Sequence, residues 1–141
     1  MFKKLEEYQV KGRFDFKSSS NLYEECTAPR NSSGIYLIYA DVVNVERLIY
    51  VGVSGREGSN GEIIHRQDGL GGHIVNNKQF GKNRSISWPI RMKEDSIKCL
   101  IIKWYVTSGA RDNDLPKPIE KELLEKFESD YGRLPFWNTE K

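Results

Sequence analysis

Three stretches of the chain are rich in apolar and aromatic residues, and turn-forming residues bound each of them. Runs of this length and composition favour strands over helices. The six residues DVVNVE between the first two runs predict an antiparallel hairpin. In the third run, Leu100, Ile102 and Trp104 alternate with Ile101 and Tyr105, as expected for a strand that packs on both faces. The runs are GIYLIYA (34–40), RLIYVGV (47–53) and SIKCLIIKWYVT (96–107).

The helical signals fall outside these runs. The clearest helix starts at Pro118 and ends at Gly132, with an apolar stripe between them. Shorter helical turns are predicted in NGEIIHRQD, which stops at Gly69, and in WPIRMKED, with Pro89 in its first turn. Two more are predicted near FKKLEEY and after Asn21, which can cap a helix. Helices must then cover a small, three-stranded, mainly antiparallel sheet, which is an α/β (α+β) fold. The residues of the apolar stripe are Ile119, Leu123, Leu124, Phe127 and Tyr131.

Length and composition indicate one compact domain. The chain has 141 residues, of which 38% are hydrophobic, enough for a core without disulfides. We expect residues 1–33 to be an N-terminal extension packed on a main domain of residues 34–141. No stretch resembles a signal peptide or a membrane span, so a cytoplasmic protein is expected. Cys26 and Cys99 lie far apart with no zinc-binding spacing, and we expect buried free thiols in a reducing compartment.

Charge is distributed unevenly along the chain. The net charge is only +2, yet residues 78–103 hold seven basic and two acidic residues, a local charge of +5. Residues 112–130 hold three basic and seven acidic residues, a local charge of −4. This asymmetry suits a phosphate-facing side opposite a solvated or metal-binding side, although a charge run can also be an ordinary solvated face.

Two features of the predicted elements suggest chemistry. Glu120 lies in line with the apolar stripe of the last helix, where a carboxylate needs a metal ion or a cationic side chain to compensate its burial. Its alternative role is to interact with the helix dipole. Tyr36 and Tyr50 each lie near a glycine, which lets a ligand or another backbone approach, and a phenol can donate, accept or transfer a proton. Ordinary strand packing is the alternative for both tyrosines.

These residues belong to a set of ordered motifs. GIY (34–36) is followed by YVG (50–52), by EIIHRQD with Arg66, by IEKELLEKF with Glu120, and by LPFWN with Asn138. In this order the motifs resemble those of the GIY-YIG nuclease superfamily. The resemblance covers residues 34–138 and implies a small α/β domain that hydrolyses DNA phosphodiesters with one divalent metal ion.

The resemblance also implies roles for individual residues. Glu120 would bind Mg²⁺ or Mn²⁺, and Asn138 would fix the geometry of the site. Tyr36 is the better candidate for the general base or for positioning the water, while Tyr50 would orient water or phosphate. Arg66 would contact the scissile phosphate, although it stands further from Gly52 than the family arginine does; we prefer it to Arg56 because it lies on the predicted helical turn. His73 would assist the base, with His65 as the alternative.

The basic segment then predicts DNA contacts beside the cleft. Trp88 would contact a base or sugar, or else belong to the core before Pro89. Because one site must dimerise or act twice to cut a duplex, a homodimer is one expected arrangement. A structure-specific repair nuclease and a binding module with little turnover are the competing hypotheses. The predicted DNA contacts are Lys78, Lys82, Arg84, Arg91 and Lys93.

Overall fold

A computed structural model describes residues 2–109 and 113–139 of the chain. In chain order, the strands of this part are β1 (Lys11–Lys17), β2 (Gly34–Ala40), β3 (Leu48–Ser54), β4 (Arg56–Glu57), β5 (Ile63–Ile64), β6 (Lys78–Gln79), β7 (Lys82–Asn83) and β8 (Cys99–Val106). The α-helices are α1 (Leu22–Glu25), α2 (Gly69–Asn76), α3 (Arg84–Glu94) and α4 (Pro116–Tyr131), and 3₁₀ turns span Leu5–Glu7 and Val45–Arg47.

The central sheet is antiparallel and has the strand order β1, β8, β2, β3. Strands β2 and β3 form the predicted hairpin, which confirms that interpretation. The prediction of three strands is wrong, because β1 adds a fourth by pairing with β8 from Lys11 opposite Tyr105 to Lys17 opposite Cys99. Only Phe14 and Phe16 are buried in β1, so this edge strand has a weak apolar signal. The boundary proposed at residue 33 stays a prediction.

Each face of the sheet carries a hydrophobic core. Helix α4 covers one face, where Leu124 and Phe127 pack with residues of β2 such as Leu37. Helices α2 and α3 cover the other face through residues that include Ile74 and Trp88. Strand β2 is buried along its whole length, which explains why its sequence is continuously apolar and aromatic. The predicted alternation in β8 is confirmed, because its odd and even positions contribute to different cores.

Several helix boundaries differ from the prediction. The helical turn predicted in NGEIIHRQD is wrong, because Ile63–Ile64 is a short strand that pairs with β4. Gly69, which was expected to end that turn, is instead the first residue of helix α2. Helix α3 begins at Arg84, so Pro89 lies inside the helix and not in its first turn. Helix α4 begins at Pro116, two residues earlier than predicted, and ends as expected at Gly132, which has a left-handed φ of 74°.

The N-terminal predictions hold in part. Asn21 caps α1 as expected, because its side chain accepts a hydrogen bond from the backbone N–H of Glu24. The turn near FKKLEEY is a short 3₁₀ turn. Cys26 and Cys99 are free thiols as expected, but both are of intermediate burial and not fully buried. Among the described residues, no helix combines the length and the apolar character needed to cross a membrane.

Candidate active site

Tyr36 and Tyr50 lie on the same face of the β2–β3 hairpin. Tyr36 is paired with Gly52 and Tyr50 with Ile38, so the two tyrosines are diagonal neighbours across the strands. Their ring centroids are 6.0 Å apart. Tyr36 is fully buried, whereas Tyr50 is partly exposed.

Gly52 is required by the position of the Tyr36 ring. A Cβ atom at residue 52 would lie 2.3 Å from Cζ of Tyr36 and 2.5 Å from its hydroxyl oxygen. Gly34 is confined in another way, since a Cβ there would lie 1.9 Å from the carbonyl oxygen of Tyr105 on β8. The glycines of the two tripeptides therefore leave room for a tyrosine ring and for close strand packing.

Arg84 lies beneath the two tyrosines. The structure places it in the interior, with no exposed surface, and not on the surface beside the cleft as the sequence suggested. Its Nη1 donates a hydrogen bond to the hydroxyl of Tyr36 at 2.6 Å, and its Nε donates to Oε1 of Gln79 at 3.1 Å. Its guanidinium carbon is 5.5 Å from the ring centroids of both Tyr36 and Tyr50. One buried guanidinium therefore contacts the rings of both tyrosines.

The local fold explains how an arginine reaches this position. The short hairpin β6–β7 returns the chain from the end of α2, so that α3 starts beside the last turn of α2. There Nη1 of Arg84 also donates to the carbonyl oxygens of His73 and Ile74, at 3.1 and 3.3 Å. A cation is favourable at a helix C-terminus, where carbonyl groups lack partners within the helix.

The guanidinium of Arg84 is only partly satisfied. Its Nη2 is buried and has no hydrogen-bond partner. Within the described part of the chain, no carboxylate forms a salt bridge with Arg84. A buried charge without a counterion is costly for stability, and such an arrangement is typical of a functional position more than of a structural one.

Tyr36 connects Arg84 to His73. The hydroxyl of Tyr36 lies 3.0 Å from Nδ1 of His73. Burial, followed by the charges of Arg84 and Arg66, lowers the pKa of His73 to about 3, so the imidazole is neutral near pH 7. Which of the two groups donates depends on the tautomer of the imidazole. The hydroxyl of Tyr36 thus accepts from Arg84 and is also hydrogen-bonded to His73.

Burial also raises the pKa of Tyr36, and the nearby charge of Arg84 only partly opposes this effect. A phenol that is fully buried and hard to ionise is poorly suited to take a proton from water. The geometry therefore disfavours the base role expected for Tyr36. Tyr50, whose ring reaches an open cavity, is better placed to contact water or substrate.

Glu120 faces that same cavity from helix α4. Its side chain is nearly buried, with 7% of the residue exposed, as its place in the apolar stripe predicted. One carboxylate oxygen, Oε1, accepts a hydrogen bond from Nζ of Lys117 at 2.7 Å. The cavity has a volume of about 450 Å³, and Tyr50, Glu120 and Asn138 are among its lining residues. Tyr50 of the YVG motif, Glu120 of the IEKELLEKF motif and Asn138 of the LPFWN motif therefore line the same cavity.

Asn138 holds the C-terminal segment against strand β3. Its Oδ1 accepts from the backbone N–H of Val51 at 3.0 Å, and its Nδ2 donates to the carbonyl oxygen of Val51 at 3.1 Å. The backbone N–H of Trp137 donates to the carbonyl oxygen of Ile49 at 2.8 Å. These bonds fix the wall of the cavity next to Tyr50, which agrees with a positioning role for Asn138.

Arg66 lies in a different place from the one expected. It precedes α2 in a loop, not on a helical turn, and its Nε pairs with Oδ1 of Asp68. Together with Arg56, His65 and His73 it lines a second cavity of about 300 Å³ that contains neither Tyr50 nor Glu120. His73 also contacts Tyr36, whose ring packs against that of Tyr50 at the first cavity. The ring of His65 forms a hydrogen bond with Oγ of Ser33 at 2.6 Å.

The remaining predicted DNA contacts divide into two groups. Lys78, Lys82 and Lys93 are exposed, and Arg91 is half-buried beside Phe80. Trp88 is a core residue with no exposed surface, and its Nε1 donates to Oε1 of Gln79. The expected contact of Trp88 with a base or sugar is therefore wrong, and its alternative as a core residue is confirmed.

Arg84 was the candidate site residue hardest to identify from the sequence. Its position among basic residues hid a periodic signal, since residues 84, 88 and 92 share one face of a helix. Trp88 and Met92 at two of these positions are buried. An arginine in register with two core residues indicates a buried charge.

Comparisons with known proteins leave the family of the chain open. The resemblance to GIY-YIG nucleases rests on the motif residues themselves and stays a hypothesis. The chain matches no family model, no curated protein and no solved structure.

Proposed function

We propose that this protein is a divalent-metal-dependent DNA endonuclease of the GIY-YIG type. The observation that carries the proposal is that Tyr50 and Glu120 line one cavity, while buried Arg84 contacts the rings of both tyrosines. Hydrolysis of a phosphodiester needs an oriented water, positive charge near the phosphate and stabilisation of the leaving oxygen. The residues around this cavity could supply the first two requirements.

The carboxylate of Glu120 fits a metal ion of the Mg²⁺ or Mn²⁺ class. Magnesium is commonly held by one or two carboxylates, while waters and substrate phosphates complete its oxygen shell. Among residues 2–109 and 113–139, no three acidic, histidine or cysteine side chains gather at metal-binding distance. Glu120 would therefore be the protein ligand, and Lys117, which now contacts it, would turn toward the phosphate. When bound, the ion would neutralise charge on the phosphate and activate a water molecule.

Tyr50 would contact the attacking water. Tyr50 lines the same cavity as Glu120, and its hydroxyl can donate or accept a hydrogen bond. Tyr36 would act behind it, as a buried support that keeps Arg84 and His73 in place. This division of labour reverses the expectation that Tyr36 is the base.

Arg84 would be a positioning residue that replaces Arg66 as the guanidinium of the site. Because Arg84 is fully buried, it acts on the substrate through the tyrosines and through its charge. Charge–charge interactions are strong in a site that excludes water, and a fixed cation needs no reorganisation during the reaction. Arg66 is engaged by Asp68 at the second cavity.

DNA is the proposed substrate because exposed lysines are next in sequence to residues that line the cavity. Lys78 and Lys82 belong to the β6–β7 hairpin, whose residues Gln79 and Phe80 line the cavity. Lysines at such positions would contact phosphates without reading sequence. Affinity that falls steeply with added salt would support this part of the proposal, and affinity unchanged by salt would contradict it.

A nicking assay on supercoiled plasmid tests the proposed activity. The wild type is incubated with Mg²⁺, with Mn²⁺ or with EDTA, beside the nearly isosteric variants Glu120→Gln and Tyr50→Phe. We expect the wild type to nick the plasmid only when a metal ion is present. The rate of nicking should be lower by about a hundredfold or more in both variants. Circular dichroism of each variant excludes loss of folding as the cause.

A matched pair of arginine variants tests which guanidinium serves the site. Arg84→Gln is expected to abolish nicking, while Arg66→Gln is expected to retain most of it. The reverse result would restore Arg66 as the arginine of the site. No cleavage by the wild type, with DNA binding retained, would favour a binding module on this fold.

A further inference from the structure

Two exposed phenylalanines flank Trp137 beside the proposed site. Phe80 is 39% exposed and Phe136 is 69% exposed. An arginine guanidinium lies over each ring: the guanidinium carbon of Arg91 is 4.6 Å from the ring centroid of Phe80, and that of Arg133 is 3.9 Å from that of Phe136. Each ring is thus held by a cation while much of its surface faces solvent.

Phe80 occupies an unusual backbone position. It forms the turn of the β6–β7 hairpin together with Gly81, and both residues have positive φ, 57° and 84°. Turns of this kind favour Asn or Gly at the first central residue, and a bulky side chain there is strained. The ring lies edge-on to Trp137, with centroids 5.2 Å apart. Backbone strain of this kind is typical of functional positions.

The two rings border adjoining cavities. Phe80 lines the cavity of Tyr50 and Glu120. Phe136 lines a neighbouring cavity of about 370 Å³, together with Arg47 and Arg91. Trp137 contributes to both cavities, so the rings mark a path that leads away from the proposed reactive centre.

We infer that Phe80 and Phe136 are stacking platforms for unpaired bases of the nucleic acid strand next to the cleaved phosphate. This inference rests on the proposed function and narrows its substrate to DNA with a single-stranded or branched segment. Flat exposed rings with interleaved arginines match a strand of alternating bases and phosphates. Paired and stacked bases in a continuous duplex would not offer their faces to these rings.

A protein partner is the competing occupant of this surface, because aromatic residues and arginine are also enriched in protein interfaces. The absence of single-strand binding by the wild type would favour that partner over nucleic acid. Asp95 offsets part of the positive charge, since it accepts hydrogen bonds from Arg91 and Trp137. Its hydrogen bond with Trp137 also holds the indole beside the ring of Phe80.

Binding without cleavage tests the inference. Fluorescence anisotropy in EDTA compares a short single strand that contains 2-aminopurine with a duplex of the same sequence. Truncation of one stacking ring to alanine removes its stacking interaction with a base. The affinity for the single strand then falls by about five- to 150-fold. We expect Phe80→Ala and Phe136→Ala each to fall in this range, and we expect quenching of 2-aminopurine by the wild type to decrease in both. Duplex binding should change less than about twofold, because phosphate contacts dominate it.

Two further variants keep the test decisive. Phe80→Asn relaxes the strained turn, so it should fold at least as well as the wild type yet lose single-strand affinity. Tyr23→Ala removes an exposed aromatic side chain that lines neither cavity and should leave binding unchanged.

Three results would overturn the inference: no single-strand binding by the wild type, equal losses for single strand and duplex, or unchanged affinity in all phenylalanine variants. Because the assay contains no metal and needs no turnover, its outcome is independent of the nicking assay. Selective loss of single-strand binding together with an inactive wild type would refute the nuclease and keep the stacking site.

Discussion

Neutral His73 should make the stability of the protein depend on pH in a defined range. The pKa of its imidazole is 6.5 in an unfolded chain and about 3 in the folded protein. Because the folded pKa is the lower one, the unfolded state binds a proton first as the pH falls. His73 therefore contributes stability above about pH 6.5, and this contribution is lost progressively between about pH 6.5 and about pH 3.

The magnitude follows from the shift. Each pKa unit corresponds to about 1.4 kcal/mol, so the full effect is about 5 kcal/mol. About 2 kcal/mol of it is lost between roughly pH 7 and roughly pH 5, where most carboxylates are still ionised. A change of stability in this pH range therefore reports the titration of the histidine and not that of the acidic groups.

Urea unfolding provides the assay. The three tryptophans, Trp88, Trp104 and Trp137, are all buried, so their fluorescence reports unfolding. The free energy of unfolding is measured at several values between about pH 7 and about pH 5 for the wild type, His73→Gln and His65→Gln. His65, the other histidine of the chain, is exposed and provides the matched control.

We expect the slope with pH to flatten in His73→Gln and to persist in His65→Gln. Comparing slopes removes any constant loss of stability that the substitution itself causes. Equal slopes in the wild type and His73→Gln would refute the conclusion that His73 is neutral when folded.

Three further predictions concern residues around the cavity. Gly52→Ala should destabilise the protein by about 1–3 kcal/mol in urea unfolding, because its Cβ would overlap the buried ring of Tyr36; a neutral substitution would contradict that packing. Arg84→Lys should lower the free energy of unfolding by about 1–3 kcal/mol in thermal unfolding, since an ammonium cannot reproduce the hydrogen bonds of the guanidinium. An unchanged melting temperature would contradict a stabilising role for those hydrogen bonds. Asn138→Ala should accelerate amide hydrogen exchange at Val51, and equal protection would mean that the side chain does not hold this strand.

Local patterns in the sequence were sufficient for the centre of the fold. The hairpin follows from two apolar runs with a short connection, and the alternation in β8 follows from the two cores that the strand separates. The burial of Glu120 follows from helical periodicity, because it shares a stripe with Leu124 and Phe127. In each case the determining residues lie close together in sequence.

Other features depend on partners that are distant in sequence. Strand β1 is held by pairing with β8, and its own residues are mostly charged. The burial of Arg84 depends on Tyr36, 48 positions away, and on the end of α2. The loop that carries Arg66 contains apolar residues that suggest a helix, but Ile63 and Ile64 pair with β4. Pairing across the fold overrides local propensity at these places.

The bonds between Asn138 and Val51 have a consequence for the behaviour of the protein in solution. Strand β3 is an edge of the central sheet, and an open edge can recruit a strand from another molecule. The side-chain amide of Asn138 imitates one peptide group of a fifth strand, and the backbone of Trp137 supplies another donor beside it. At the opposite edge, β1 carries the exposed charged residues Lys11, Arg13 and Lys17. Charged side chains on an edge strand disfavour pairing with a strand of another molecule. The C-terminal segment therefore protects the side of the sheet nearest the cavity from intermolecular β-pairing and aggregation.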